Sequence, residues 1–404
     1  MKSEIFAYPP PSVFPVNPPT KKAGSLIRTF DPGVLMMLAV TGNQISRETW
    51  ISILRLDKDS ISQMGFTSQA YMNKARNVAL DNAFSKHNNL HVLIPTPKSI
   101  LYPMIIKEFE REDPMFGWCG DVVYMNVDAL MRLPDPFFRY TPLEGSIEEY
   151  AKRVRKHGFS ALEIPYKENK YDIDENGIIS LKSFGGPVKK PGVSLLMVAS
   201  WPTVHILFCM ANITLGMDNV SSIYISIKDH GGAADMPLAR NQLVRKAIDE
   251  DPDSDYVFFH DIDMQVGTDT IPYLLAQDKP VIGAVYYQRG DPYYPHTMRM
   301  YGQTRLRRIV DFPTEPNNPF RVDAQGTGAL LIHKDVFKTV PYPWFAFDKL
   351  GEEDMLMGED YWFSWVCKQA GVETWADGSV PTTHITDIPV DAKIAHQCKA
   401  KWRE

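Results

Sequence analysis

The chain has 404 residues, of which 44% are hydrophobic and 23% charged, enough to build the cores of two or three domains. A formal charge of −6 excludes a global attraction to nucleic acid or anionic lipid. Only local basic strips remain, KRVRK at 152–156 and RLRR at 305–308, and such strips as readily form solvated faces.

Residues 1–32 are proline-rich, show no signal-peptide pattern, and read as an extended arm. The four cysteines, Cys119, Cys209, Cys367 and Cys398, have no zinc spacing and fit buried thiols in a reducing compartment, so a cytoplasmic protein is expected. The most apolar window, 193–217, is interrupted by a Trp-Pro pair, His205 and Asn212, which argues for strand, loop and helix and against a membrane span.

From residue 33 onward the chain resembles itself. PGVLMMLAV at 32–40 matches PGVSLLMVA at 191–199, KARN at 74–77 matches LARN at 238–241, and DPMFG at 113–117 resembles KPVIG at 279–283. LPDPFF at 133–138 mirrors VPYPWF at 340–345, and YAKRVRKHGF at 150–159 mirrors FSWVCKQAGV at 363–372, each helical run closing on a glycine suited to a left-handed cap. The matches keep their order and their offsets only grow. They predict two copies of one α/β domain, 33–180 and 192–390, joined by a linker at 181–191 and followed by a tail at 391–404. Apolar runs such as SSIYISI and DYVFF alternate with helical ones such as LARNQLVRKAIDE, which predicts a mainly parallel, Rossmann-like sheet in each copy.

The copies differ in their acids. Where the second has FFHDIDM, the first has LIPTPKS at 93–99, and where the second has GEDYWF, the first has GSIEEY at 145–150. The second also gains about 41 residues over 286–326. Chemistry is therefore expected in the second copy, with the first degenerate. Asp261 and Asp263 follow an apolar strand, and in an extended segment both face one way, an unfavourable pairing unless a cation lies between them. Mg²⁺ or Mn²⁺ would suit them, although taken alone such a pair is more often a solvated strand end. Glu359 and Asp360 open an amphipathic helix, as helix-capping acids or as a general base. His384 lies in a polar loop, structural or a third metal ligand that tilts preference toward Mn²⁺. Gly326 and Gly328, flanking Thr327, allow close backbone approach, either to a ligand or in a simple tight turn.

Taken in order, DID, GTGALL, GED and the histidine resemble the GT-A glycosyltransferases, especially family-2-like members, over about 192–390. The resemblance implies that Asp261, Asp263 and His384 hold Mn²⁺ or Mg²⁺ on a UDP- or GDP-type nucleotide-sugar, and that Asp360, with Glu359 beside it, is the catalytic base. It implies donor contacts from Ser200, Arg240, Asn241, Asp261, Gly326, Thr327 and Gly328. Tyr286, Tyr287, Arg289 and Arg305 of the long insert are expected in a lid, and Trp344 and Trp362 suit sugar stacking or ordinary core packing. The expected acceptor is a saccharide or protein glycan. Alternatives are transfer to a hydroxymethylated base in DNA, with KRVRK holding the duplex, nucleotidyl transfer, and a non-catalytic carbohydrate-binding protein.

Overall fold

The structure is a computed structural model. It describes residues 31–40, 44–56, 61–68, 89–96, 105–112, 116–119, 122–126, 146–156 and 160–164 of the first half, apart from single positions. In the second half it describes 172–182, 191–199, 203–205, 220–227, 236–301, 305–349, 356–386 and 390–397. The arm before Asp31, the LPDPFF segment and Ser200 lie outside the described residues.

Each half builds a mixed sheet. In the first, the order is Ile61–Ser68, Asp31–Val40, Asn89–Ile94, Val122–Asn126, Phe116–Cys119, Ala161–Glu163. In the second, six strands follow as Val220–Ser226, Gly192–Val198, Ser254–His260, Ala329–His333, Val281–Ala284, Thr374–Asp377. The directions also agree. In both, the first three strands are parallel, the fourth is antiparallel to both neighbours, and the last two are parallel to each other.

The sheets are mixed, not mainly parallel as expected. The antiparallel fourth strand is the reason. In the first half a short connection turns Phe116–Cys119 back into Val122–Asn126, a join open to antiparallel neighbours only. The second sheet gains Ile178–Lys182 on one edge and Phe320–Val322 on the other. The expected boundary at residue 180 thus falls inside a strand that pairs with Val220–Ser226. Beyond residue 390, the expected tail contains the Ala392–Gln397 helix, with Ala395 buried.

Sequence accounts for the central elements. Gly192–Val198 is buried throughout, as a continuous apolar run must be when strands flank it and helices cover it. The Met236–Glu250 helix places Pro237 in its first turn, where no amide partner is lost, and buries Ala239, Leu243, Val244 and Ala247 at helical spacing. Gly158 and Gly371 close the two mirrored helices with φ of 81° and 77°, the left-handed conformation glycine accepts without strain. Cys119 and Cys367 are buried, and burial pushes the Cys367 thiol up. Among the described residues no helix is long and apolar enough to cross a membrane.

Candidate functional site

Three parallel strands, Val220–Ser226, Gly192–Val198 and Ser254–His260, end along one edge of the second sheet. The ladder sets Ser226 beside Val198 and Phe259 beside Leu196, so Ile227, Ala199 and Asp261 follow in a row. In open α/β sheets ligands gather beyond this edge. The chain there turns sharply. The Asp261 amide donates to Gly328 O at 3.2 Å, and the Met264 amide donates back to Asp261 O at 2.9 Å. Residues 261–264 therefore form a turn, which corrects the expectation of two side chains alternating onto one face: Asp261 and Asp263 leave the turn toward different partners.

Asp261 meets Arg240. This arginine is 3% exposed and its Nη2 donates to Asp261 Oδ1 at 3.1 Å, while its Nε lies 3.4 Å from Glu359 Oε1. Its guanidinium also covers the Phe259 ring at 5.5 Å. Arg240, one of the expected donor contacts, joins the DID turn to the helix that carries Glu359 and Asp360. The buried arginine sits between two carboxylates, and its charge offsets their mutual repulsion. Burial pushes Asp261 up, with Arg240 opposing.

Glu359 and Asp360 form the first turn of the Glu359–Gln369 helix, after Gly358 at the N-cap. Asp360 Oδ1 accepts from the Tyr361 amide at 2.7 Å. Burial, reinforced by Glu359, raises its carboxyl to about 7 against the pull of Arg240. An acid at that value is half-ionised near neutrality, which suits a group that must accept a proton.

Asp263 meets His384. The strands Met264–Val266 and Thr382–His384 pair antiparallel with Met264 opposite His384, and the Ile385 amide donates to Asp263 O at 2.6 Å. The pairing brings His384 Nε2 to 3.4 Å from Asp263 Oδ2. His384 Nδ1 lies 2.6 Å from Tyr287 O. A carbonyl only accepts, so Nδ1 carries the hydrogen and Nε2 presents a lone pair toward the carboxylate. Two electron-rich atoms so placed need a cation. Arg289 provides one, donating through Nε to His384 Nε2 at 3.1 Å and through Nη2 to Asp263 Oδ2.

A carboxylate oxygen beside an imidazole nitrogen, with the far nitrogen tied to a carbonyl, has the chemistry of a Mn²⁺ site and its outer support. The expected set of three ligands does not converge: among the described residues no three His, Cys, Asp or Glu side chains meet in metal-binding geometry. Asp263 and His384 come together while Arg240 draws Asp261 aside.

Other expectations change. Asn241 spends both ends of its amide on the protein. Its Nδ2 donates to Pro237 O at 2.8 Å and Phe345 O at 2.7 Å, and its Oδ1 accepts from the Trp344 and Phe345 amides at 3.1 and 3.2 Å. That satisfies it as a clamp and leaves no polar atom for a donor. Gly326 and Gly328 do admit a close neighbour, but it is the Tyr286 ring: a Cβ on either would meet Tyr286 Cζ at 2.8 Å, and the Gly328 amide donates to its hydroxyl at 3.2 Å. Thr327 between them is buried. Tyr286 and Tyr287 are buried too and cannot belong to a lid, whereas the Arg289 side chain is 51% exposed and reaches in over the site. Trp344 is core, its indole donating to Phe337 and Val340 carbonyls.

One cluster was not anticipated. His296 stacks on Tyr286 at 4.7 Å, its Nδ1 lies 3.2 Å from the Tyr361 hydroxyl, and Tyr286 meets His384 edge-on at 5.7 Å. Burial lowers His296 to about 3, so this ring is neutral. The signal was available: His296 and Arg289 both lie in the insert that accompanies the acids.

No protein-family model matches the chain, and no curated protein matches it. Among solved structures, A197 from STIV is similar over 48% of this chain and 86% of its own, at 15% identity and a TM-score of 0.34. GalNAc-T7 with UDP, GalNAc and Mn²⁺ is similar over 71% of this chain at 13% identity and a TM-score of 0.32, and this chain spans about half its length, 53%. Scores this low carry no argument about the fold or the chemistry, which rest on the residues themselves.

Proposed function

We propose that the chain is a metal-dependent glycosyltransferase that moves a sugar from a nucleotide-diphosphate sugar to an acceptor hydroxyl. The observation that carries this reading is the pair of electron-rich atoms, Asp263 Oδ2 and His384 Nε2, facing each other at 3.4 Å beside the ends of three parallel strands. Asp263 and His384, with Asp261 turning from Arg240, would hold Mn²⁺ or Mg²⁺. When bound, the cation supplies positive charge for the leaving diphosphate.

The protein's own groups divide the remaining work. Asp360 takes the proton of the acceptor hydroxyl, with a carboxyl near 7 that can both receive and release it. Glu359 and Arg240 keep that carboxyl in place and connect it to the DID turn. Tyr286, braced by the two glycines, walls the site and excludes water from it. Arg289 supplies a positive charge beside Asp263.

The two halves are read as copies of one domain, the first without the acids. The shared strand order and directions support this. A saccharide or protein glycan is the favoured acceptor.

The test is a Mn²⁺-dependent hydrolysis and transfer screen over UDP- and GDP-sugars. Turnover by the native chain and its loss by roughly 100-fold or more in Asp263→Ala, with the fold intact, are expected. No donor bound or turned over, together with no effect of Asp261→Ala, would refute the reading. Binding of oligonucleotide that weakens steeply with salt would select the nucleic-acid acceptor.

A further inference from the structure

The first half lacks the acids, yet it touches the second half at the edge where ligands gather. Arg47 opens the Arg47–Leu54 helix, behind the N-cap Ser46, which accepts from the Thr49 amide. Its Nη1 donates to the carbonyl oxygens of Ala199, at 3.2 Å, and Ile227, at 3.3 Å. These residues directly follow the parallel strands Gly192–Val198 and Val220–Ser226, in the row that continues to Asp261. Its Nη2 reaches Glu48 Oε1 at 3.3 Å, which fixes the plane of the guanidinium.

The neighbouring contacts act on the same segment. Gln44–Ser46 pairs antiparallel with Thr203–His205, Ile45 opposite Val204, and Thr203 Oγ1 donates to Gln44 Oε1 at 2.9 Å. Trp50 packs against Phe208 with ring centroids 5.3 Å apart. Thr203–His205, soon after the first strand of the second half, is therefore held by the first half. In an open α/β sheet that chain borders the bound ligand.

We propose that the first half is a built-in subunit that shapes the nucleotide side of the donor pocket, with Arg47 as its positioning residue. By bridging the Ala199 and Ile227 carbonyls, Arg47 locks two adjacent strand ends and sets a fixed positive charge behind them. The ligand class is the nucleoside diphosphate of the donor, which rests on the glycosyltransferase reading above. Arg47 touches neither sugar nor acceptor, so it governs donor affinity and leaves the chemical step to Asp360.

Titration calorimetry of the full chain with UDP and with GDP, each with Mn²⁺, tests this on the native protein, Arg47→Ala and Arg47→Lys. The native chain is expected to bind at least one of them. Arg47→Ala should weaken that binding by roughly 10- to 100-fold, the worth of a charged double hydrogen bond. Arg47→Lys should recover part of the loss, and in turnover the donor KM should rise while kcat changes little. A lower melting temperature with an unchanged Kd would mean that Arg47 only docks the halves, and would overturn the proposal. So would a fall in kcat at constant KM. Should Arg47→Ala fail to fold, an unchanged Kd in Arg47→Lys is the overturning result. If the native chain binds neither nucleotide, the glycosyltransferase reading falls and takes this inference with it; native binding that both variants retain sinks the inference alone.

Discussion

Asp360 concentrates the conflict between stability and chemistry in this site. Burial and Glu359 raise its carboxyl from the ordinary value near 3.8 to about 7. The unfolded chain releases this proton near pH 4, whereas the folded chain keeps it until about pH 7. The stabilising contribution is therefore whole below about pH 4, declines as pH rises toward 7, and is absent above. Asp360→Asn removes the slope. Denaturant titration should find the variant more stable by roughly 1–3 kcal/mol near pH 8, a gap that closes toward pH 4. Transfer should fall by about 10²- to 10⁴-fold in the same variant, and native kcat should decline below about pH 7 as Asp360 is protonated. A variant with unchanged stability across that range would show that the raised carboxyl is not real. At this scale the residue types announced themselves: aspartates, a glutamate and a histidine after apolar runs. Their partners did not, because Arg240, 21 residues before Asp261, is brought to it and to Glu359 by its place on a separate helix.

At the level of elements, Asn241 joins the Met236–Glu250 helix to the Trp344–Phe345 segment through three hydrogen bonds. Asn241→Ala leaves the buried backbone groups of Trp344 and Phe345 without these partners, and roughly 2–4 kcal/mol of unfolding free energy should be lost. Nucleotide affinity, measured below the lowered midpoint, should be unchanged. A selective loss of affinity at native stability would restore the donor contact that the motif order implied. The ARN motif was legible as a helix start, but its two polar residues have unlike fates. Arg240 points along the carboxyl edge of the sheet, and Asn241, one residue and about 100° further round the helix, points into the core. Such a rotation is readable from helical geometry only once the helix is placed against the sheet.

On the scale of the whole molecule, one apolar cluster runs through both halves. It includes Val34, Ile45 and Trp50 from the first, and Val204, Phe208 and Ile271 from the second. The two sheets should therefore unfold in a single cooperative transition. Trp50→Ala, which empties a buried aromatic site against Phe208, should lower that transition as a whole by roughly 3–5 kcal/mol. Calorimetry that resolved two transitions, with only one displaced, would show that the halves fold independently. The residue pairing between them has a local two-fold character. The same offset that aligns PGVLMMLAV with PGVSLLMVA aligns Ile45 with Val204, and these two residues face each other across the two-stranded ladder.

By itself the sequence pointed to a few strands and helices, such as DYVFF and LARNQLVRKAIDE, to the glycines that close the two mirrored helices, and to the half that carries the acids, because periodicity, turn chemistry and residue type are local properties. It also led to the edge of the sheet on which Asp261 lies, since the strand that precedes the acids is a continuous apolar run. Tertiary structure decided the rest. It turned Asp261 and Asp263 toward different partners, drew Arg289 between Asp263 and His384, gave the glycines to Tyr286, and set Arg47 of the first half against strand ends of the second. Each of these depends on atoms brought within about 3 Å by packing between distant segments, and hydrogen bonds of that reach are invisible to any pattern along the chain.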